Sequence, residues 1–198
     1  MNRTRISMII ALVLVCFVAA LGCEKKGQKG KKKAKADKEW SLSSVFGCAK
    51  KPAKVRSVKE LPNFTLLDPA GIAHSRDQLL KGGLVIVVTA PTLSQEKSQK
   101  GWSELLAAHK PKGASLVFLE DMSASSFKGM AKKEMKKEYK PGDPVILLLD
   151  EAGNLRGSLG VEKGKTAVLV YDKDGGHVYT DTGKPSTTGA QKIWGKLK

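Results

Sequence analysis

Two uninterrupted apolar runs limit the folds available to this chain. Residues 84–88 (LVIVV) and 145–149 (VILLL) contain no polar side chain. A strand with one solvated face alternates apolar and polar residues, whereas a strand covered on both faces does not. We therefore predict that both runs are central strands of a sheet with helices on both sides.

Shorter aliphatic or β-branched runs predict further strands at residues 64–67, 116–119, 167–171 and 177–179. Three predicted strands are followed by a tetrapeptide that starts with Asp and ends with Gly. An Asp at the first position of a type I turn bonds the following backbone, and a Gly at the fourth position lets the chain re-enter a strand. Each tetrapeptide is therefore predicted to join antiparallel neighbours. They are residues 68–71 (DPAG), 150–153 (DEAG) and 172–175 (DKDG).

Apolar residues at helical spacing predict three helices. The first covers residues 94–109, with Thr92 and Gln95 as a capping box at its start. The last has Thr188 and Gln191 in the same arrangement, and the middle one has lysines on its opposite face. The stripes expected to face the core are Trp102, Leu105, Leu106 and His109; Phe127, Met130, Ala131, Met135 and Tyr139; and Ala190, Ile193, Trp194 and Leu197.

The amino-terminal residues predict a targeting segment. A basic stretch at residues 2–5 precedes an apolar run at residues 6–21, which ends in Ala20-Leu21-Gly22-Cys23. That run is shorter than the roughly 18 to 20 apolar residues of a spanning helix, so residues 1–22 are interpreted as a cleaved export signal. An ordinary secretory signal with a chance cysteine, or an uncleaved anchor helix, are the alternatives.

The tetrapeptide resembles the lipobox of bacterial lipoproteins, although Ala20 replaces the usual leucine and Leu21 a smaller residue. This resemblance implies that Cys23 is diacylated, as by palmitate, becomes the mature amino terminus and holds the protein to a lipid bilayer. It also implies a cell-envelope location facing the periplasm or the exterior. Glu24, where some lipoproteins carry a retaining aspartate, slightly favours the outer membrane.

Residues 23–39 are predicted to be a flexible tether. This segment is mostly Lys, Gly, Ala and Gln, so it has almost nothing apolar to bury. Its lysines are expected to attract an anionic membrane or envelope surface, or else simply to keep the tether soluble. The whole chain is basic, with a formal net charge of +16. It lacks the clusters of aromatic residues with Arg that are typical of nucleic-acid binding, so no nucleic-acid partner is expected.

Residues 40–60 form a transitional segment, and residues 61–198 are long enough for one domain with its own core. The segment contains Cys48, which follows Cys16 and Cys23 as the last cysteine of the chain. Cys48 is interpreted as a small buried apolar residue or as a thiol that pairs between molecules.

Several blocks of the domain share one pattern. They are residues 61–68 (LPNFTLLD) with Gly71, the strand at 84–89, residues 144–150 followed by Gly160 and Val161, and residues 165–175 (KTAVLVYDKDG). In these blocks the chain resembles the thioredoxin-like redoxins, meaning the peroxiredoxin (alkyl hydroperoxide reductase and thiol-specific antioxidant) and TlpA-type families. The resemblance implies an α/β thioredoxin-like fold, with a central mixed sheet flanked by helices on both faces.

Two departures from that pattern bear on activity. Redoxins place a reactive cysteine at the start of the helix after the central strand, where helix amides stabilise a thiolate. Residues 89–98 (TAPTLSQEKS) contain no cysteine, and Lys165 occupies the position of the family's cis-proline. A serine such as Ser94 cannot carry out sulfur redox chemistry. We therefore expect no catalytic residue in this loop.

The favoured function is partner binding by a membrane-anchored lipoprotein. The resemblance implies that the contact surface is the rim used by family members, which here comprises Ala90, Pro91, Thr92, Leu93, Ser94, Lys165 and Thr166. The first alternative is a thiol-disulfide oxidoreductase or peroxidase that uses Cys48, and the second is an envelope spacer without a defined ligand. No cofactor or metal is expected, because His74, His109 and His177 are widely scattered.

Overall fold

The computed structural model describes Val55, residues 58–92 and residues 95–197. The predictions for residues 1–54, which include Cys23 and Cys48, lie outside these residues, as do those for Leu93 and Ser94. None of the described helices combines the length and the apolar character that a bilayer crossing requires.

Five strands form one mixed sheet in the order β5-β4-β3-β6-β7. Strands β3, β4 and β5 are parallel, while β6 runs antiparallel to β3 and β7 antiparallel to β6. The strands are β3 (Leu84–Thr89), β4 (Ser115–Asp121), β5 (Ile146–Asp150), β6 (Ala167–Tyr171) and β7 (His177–Asp181).

Five α-helices accompany the sheet in the described part of the chain, together with a short 3-10 turn at Met122–Ala124. They are α1 (Arg76–Leu80), α2 (Glu96–Ala108), α3 (Lys128–Glu138), α4 (Asn154–Ser158) and α5 (Thr187–Gly195). The short helices α1 and α4 were not predicted from apolar periodicity, because five residues make little more than one turn.

Two apolar layers cover the sheet. One layer contains α1 and α4, whose Leu79 and Leu155 join the cluster around Ile86. The other contains α2 and α5, whose Trp102 and Ile193 join the cluster around Val85 and Val87. The predicted α/β fold, a mixed sheet with helices on both faces, is therefore confirmed.

The second apolar run is not a central strand. β3 lies in the middle of the sheet with all six residues buried, as predicted, but β5 is an edge strand. Leu148 packs in the layer of α1 and α4, whereas Leu149 packs on the opposite face with Met122 and Met135. Since side chains alternate between faces, an unbroken apolar run reports cover on both faces and not the position of the strand in the sheet.

Two of the three Asp-to-Gly turns join antiparallel strands as predicted. Residues 68–71 connect β1 (Thr65–Leu67) with β2 (Ala73–Ser75), which form a separate two-stranded sheet. Residues 172–175 connect β6 with β7. In both turns the Gly amide donates to the carbonyl of the Asp, and Gly71 and Gly175 have φ values of 88° and 86°.

Residues 150–153 also form the predicted turn, in which the Gly153 amide donates to the Asp150 carbonyl at 3.3 Å, but the prediction that it joins antiparallel strands is wrong, because it leads into α4. The carboxylate of Asp150 accepts hydrogen bonds from the amides of Asn154 (2.9 Å) and Arg156 (2.7 Å), so it holds the first turn of α4. Because β4 and β3 lie between β5 and β6, a hairpin turn cannot join these two strands, and a longer connection that contains α4 does so.

The two predicted capping boxes are also wrong. Helix α2 begins at Glu96 after Gln95, which makes no side-chain cap bond. Helix α5 begins at Thr187, and its cap is Ser186, whose Oγ accepts from the Gly189 amide at 3.0 Å.

The apolar stripe of α3 is only partly in the core. Ala131, Met135 and Tyr139 are buried, but Phe127 and Met130 are 40% and 46% exposed. The prediction that all five residues face the core is wrong for these two. They stand on the first turn of the helix and just before it, away from Met122 and Leu149, which cover the buried side.

Candidate functional site

The predicted rim lies at the carboxyl end of β3. Ala90, Pro91 and Thr92 directly follow this strand. Lys165 and Thr166 directly precede β6, whose first residue, Ala167, pairs with Val88. The antiparallel pairing of β3 with β6 therefore brings the two predicted segments of the rim together.

One side chain fastens these two segments. The Gln95 amide nitrogen donates to the Gly164 carbonyl at 2.9 Å, and the Thr166 hydroxyl donates to Gln95 Oε1 at 2.5 Å. Because Gln95 makes these bonds with its side-chain amide, it does not cap α2 through that group. We call this three-residue contact the rim clamp.

The residues of the rim differ in their access to solvent. Ala90 and Pro91 are buried, whereas Thr92, Lys165 and Thr166 are half-buried. Lys165 stands where the resembled families carry a cis-proline, and the described peptide bonds are all trans. The surface available to a partner is therefore the half-buried part, supported from below by Ala90 and Pro91.

A buried polar chain runs beneath the rim. The Gln99 amide nitrogen donates to the Ala90 carbonyl at 2.9 Å and lies 3.4 Å from Glu120 Oε2. Gln99 and Glu120 are only 3% and 5% exposed. Gln99 thus links the rim backbone to a carboxyl group inside the domain.

Glu120 has an unusual environment for a carboxyl group. It lies on β4, where Glu120 Oε1 accepts a 2.9 Å hydrogen bond from the hydroxyl of Thr89. Burial raises the pKa of Glu120 to about 7; the Thr89 bond acts in the opposite direction, and the charge of Asp121 raises the pKa further. The carboxyl is therefore poised to change its charge near neutral pH.

The neighbouring Asp121 is countered by a cation. Arg156 Nε lies 3.1 Å from Asp121 Oδ2, and the Ser123 amide donates to Asp121 Oδ1 at 3.1 Å. Arg156 also donates from Nη1 to the Val161 carbonyl at 2.7 Å. None of the ion pairs among the described residues involves Glu120, so of these two adjacent acids only Asp121 faces a cation.

The three histidines do not meet. His74 Nε2 lies 3.2 Å from Asp68 Oδ2, His109 Nδ1 lies 2.9 Å from the Leu105 carbonyl, and His177 Nε2 lies 2.8 Å from Thr180 Oγ1. Within the described ranges, no three His, Cys, Asp or Glu side chains are grouped as metal ligands would be. Each ring instead has a hydrogen-bonding partner within six residues in the sequence.

Sequence reasoning missed the polar residues that organise the rim. Gln95 was assigned to a capping box, and Gln99 and Glu120 were not singled out. One feature of the sequence could have indicated Glu120. It directly follows the apolar residues 116–119, so it places an acidic side chain at the end of a strand that is predicted to be buried. Gln95 left none, since its partners Gly164 and Thr166 are about 70 residues away in the sequence.

Comparisons with known proteins place the fold. No family model and no curated protein sequence matches the chain. Solved structures do match, including an uncharacterized conserved protein from Geobacillus kaustophilus with 19% identity and a TM-score of 0.54, covering 68% of this chain and 75% of that one.

Two further matching structures are described by their activity or their cellular location. The exposed lipoprotein thioredoxin of Streptococcus pneumoniae has 16% identity and a TM-score of 0.53, covering 68% of this chain and 99% of that one. The thioredoxin domain of a thiol-disulfide oxidoreductase from Bacteroides vulgatus has 16% identity and a TM-score of 0.52, covering 69% and 98%. At these identities the similarity establishes the fold, which is thioredoxin-like.

Proposed function

We propose that this chain is an exported, lipid-anchored envelope protein whose thioredoxin-like domain binds a protein partner at the rim and performs no thiol chemistry there. The observation that carries the proposal is the rim clamp. Gln95 joins Gly164 and Thr166 at the position where redoxins present a reactive thiol beside a cis-proline. The rim is thus fixed by hydrogen bonds and offers a preformed surface.

The sequence of the loop supports a binding role. Residues 89–98 hold Thr92, Ser94 and Ser98 but no cysteine, and a hydroxyl does not cycle between thiol and disulfide. Lys97 and Lys163 are exposed and Lys165 is half-buried, so the two segments carry three lysines against two acids in the sequence, Glu96 and Glu162. This excess of positive charge favours a partner with an acidic surface, whose binding is expected to weaken as salt is added.

Anchoring is supported by the lipobox-like tetrapeptide and by the lysine-rich residues 23–39. A thioredoxin-like neighbour in Streptococcus pneumoniae is described as an exposed lipoprotein. The test is mass spectrometry of the mature amino terminus. We expect a diacylated Cys23 at the mature amino terminus of the parent. In the Cys23→Ser variant, both the acylation and the removal of the signal should be lost. An unmodified Cys23 or a retained Met1 in the parent would overturn the anchoring proposal.

Partner binding is tested by photocrosslinking in cells. A photoreactive residue at position 165 is compared with one at position 173, an exposed lysine site at the opposite end of β6. We expect a discrete, saturable adduct only from position 165. An excess of the parent chain without the photoreactive residue should reduce the amount of this adduct. An excess of the Lys165→Glu chain should not.

An envelope spacer without a ligand predicts a different result. In that case positions 165 and 173 give the same diffuse adducts, and neither form of the untagged chain competes. That outcome would overturn the binding proposal while leaving the anchoring test unaffected.

A second candidate is a thiol oxidoreductase that uses Cys48. Val55 forms an antiparallel bridge with Val161, which lies three residues before Gly164. Cys48 precedes Val55 by seven positions in the sequence, so an extended chain limits the distance between their Cα atoms to about 25 Å. Solved structures of thiol-disulfide oxidoreductases also share the fold.

Thiol-dependent insulin reduction and peroxide consumption separate the two candidates. The binding proposal predicts no activity above background for the full chain and for Cys48→Ala. Activity that disappears in Cys48→Ala would establish the redox function instead. Activity that persists in that variant would exclude Cys48 as its source.

A further inference from the structure

Two large apolar side chains are exposed at the tip of the β1–β2 hairpin. Leu67 ends β1 and is 51% exposed, and Ile72 precedes β2 and is 46% exposed. They flank the turn at residues 68–71, where Ala70 and Gly71 are exposed too. The hairpin therefore presents a small apolar tip to solvent.

Lysines of α3 lie beside this tip. Lys132 and Lys136 and the hairpin residues from Pro62 to Gly71 line one open groove of about 600 Å³. Lys128, Lys133 and Lys140 are exposed along the same helix or directly after it. We call the surface formed by Leu67, Ile72, Lys132 and Lys136 the basic edge.

Hydrogen bonds hold the apolar tip in a fixed position. Asp68 Oδ1 accepts from the Ile72 amide at 2.8 Å, and Asp68 Oδ2 lies 3.2 Å from His74 Nε2. Tyr139, the residue that follows α3, helps to lower the pKa of the Asp68 carboxyl and therefore lies near it. The bonds of Asp68 thus fix the hairpin turn, which lines the same groove as Lys132 and Lys136.

The charge of the basic edge is only partly compensated. Lys132 pairs with Glu151, and Glu134 pairs with Lys137. No ion pair of Lys136, Lys133 or Lys140 is found among the described residues. A surface of this kind, with exposed lysines around a few large apolar side chains, is complementary to an anionic lipid interface.

We propose that the folded domain docks on an anionic lipid bilayer through the basic edge, with Leu67 and Ile72 entering the interfacial region and the α3 lysines meeting the head groups. This contact is separate from partner binding at the rim and does not require it. The groove follows the carboxyl end of β5, and the rim follows that of β3, two strands away in the same sheet. Docking would therefore hold the rim beside the membrane surface, within roughly 10 Å across the strands.

The test uses the full chain reconstituted into vesicles of phosphatidylcholine alone or with one part in about three of phosphatidylglycerol. An environment-sensitive fluorophore is attached to a cysteine introduced at position 72 in a background in which Cys16, Cys23 and Cys48 are replaced, so that the label has one thiol to react with. The matched probe site is Val178, which is 39% exposed on β7 at the opposite edge of the sheet. Because the probe reports depth, the result does not depend on how the amino terminus is attached.

We expect a blue shift and an iodide quenching constant about threefold lower at position 72, only in vesicles with phosphatidylglycerol. The double variant Lys132→Gln/Lys136→Gln should lose this protection. The matched double variant Lys173→Gln/Lys184→Gln, at exposed positions away from α3, should keep it. High salt should reduce the protection.

Three outcomes would overturn the proposal. They are equal quenching of position 72 in both vesicle types, equal protection of positions 72 and 178, and full protection in the Lys132→Gln/Lys136→Gln variant. Protection of position 72 that needs an added acidic protein rather than anionic lipid would assign the basic edge to a protein partner, against the proposal.

Discussion

The hydroxyl of Thr89, the last residue of β3, donates a 2.9 Å hydrogen bond to Glu120 Oε1 on the adjacent strand β4. The carboxyl of Glu120 is buried directly beneath the rim and is linked to the Ala90 carbonyl through Gln99. The stability of the rim is therefore coupled to the charge of this one buried acid.

The first prediction concerns the pH dependence of stability. The pKa of Glu120 is raised from 4.5 to about 7 in the folded protein, so the folded state retains a proton that the unfolded state has lost. The contribution of Glu120 to the free energy of unfolding is thus fully present below pH 4.5 and is lost as the pH rises through about 7. Its size is of the order of 3 kcal/mol at most.

Glu120→Gln should remove this dependence, because a Gln side chain carries no charge at any pH. Urea unfolding between pH 5 and 8 is expected to show that the variant gains stability relative to the parent as the pH rises. Glu162→Gln is the matched control at an exposed site. A difference between Glu120→Gln and the parent that stays constant with pH would contradict the buried-acid interpretation.

The second prediction concerns Asp68 and the loss of stability at low pH. Burial raises the pKa of Asp68, but hydrogen bonds from the Ile72 amide, His74 and Tyr139 outweigh it and hold the pKa below 3.8. The stabilisation is present above this value and lost as the pH falls below it. Asp68→Asn should cost about 1.5 to 3 kcal/mol at pH 7 and progressively less in acid.

Thermal unfolding from pH 7 down to pH 2 measures this effect. The control is Asp77→Asn, whose side chain is 87% exposed on α1, with an expected change within about 0.5 kcal/mol. If Asp68→Asn cost as little as Asp77→Asn at neutral pH, the carboxylate would not be what holds the hairpin turn.

The third prediction tests the rim clamp. Gln95→Ala removes the hydrogen bonds to Gly164 and Thr166, so residues 162–166 should exchange their amide hydrogens about five- to tenfold faster, as expected for a loss of about 1 kcal/mol. Gln191→Ala, at an exposed position of α5, is the matched control. Unchanged exchange in Gln95→Ala would show that the loop is held without the clamp.

The fourth prediction compares two glycines. A Cβ at Gly82 would lie 2.2 Å from the backbone oxygen of Gly113, a contact that only a backbone shift can relieve. Gly82→Ala should therefore destabilise the domain by about 2 kcal/mol or more. Gly129 lies in α3 with no heavy atom within 4 Å of a Cβ, so Gly129→Ala should stabilise by up to about 1 kcal/mol.

Denaturant midpoints of the two alanine variants and the parent measure this contrast. Equal midpoints for Gly82→Ala and the parent would mean that the turn before β3 and the turn before β4 are not in close contact.

Much of the fold was predictable because its cause is local in the sequence. The two unbroken apolar runs required helices on both faces of a sheet, and the turns at residues 68–71 and 172–175 follow from Asp and Gly side-chain chemistry. The tetrapeptide at residues 150–153 also forms a turn, but it does not join antiparallel neighbours, because β5 and the next strand, β6, are not adjacent in the sheet. The order of the strands is set by tertiary pairing, which a four-residue pattern does not contain.

The resemblance predicted which two segments meet at the rim, but not the contacts that hold them together. Residues 90–92 and 165–166 meet as the resemblance implied, because β3 and β6 pair. The clamp and the buried acid depend on contacts of Gln95 with Thr166 and of Thr89 with Glu120, which are 71 and 31 residues apart. Such pairings arise only when the sheet has assembled, so no local periodicity reports them.

The bridge between Val55 and Val161 has a mechanical consequence. It is the first described pairing of the chain, and it lies close in sequence to the loop that Gln95 clamps. A pull on the segment before Val55 loads this isolated bridge before it loads any strand of the sheet. The force would thus reach the loop at residues 161–166 first, and tension along the amino-terminal segment would be felt at the rim while the core stays folded.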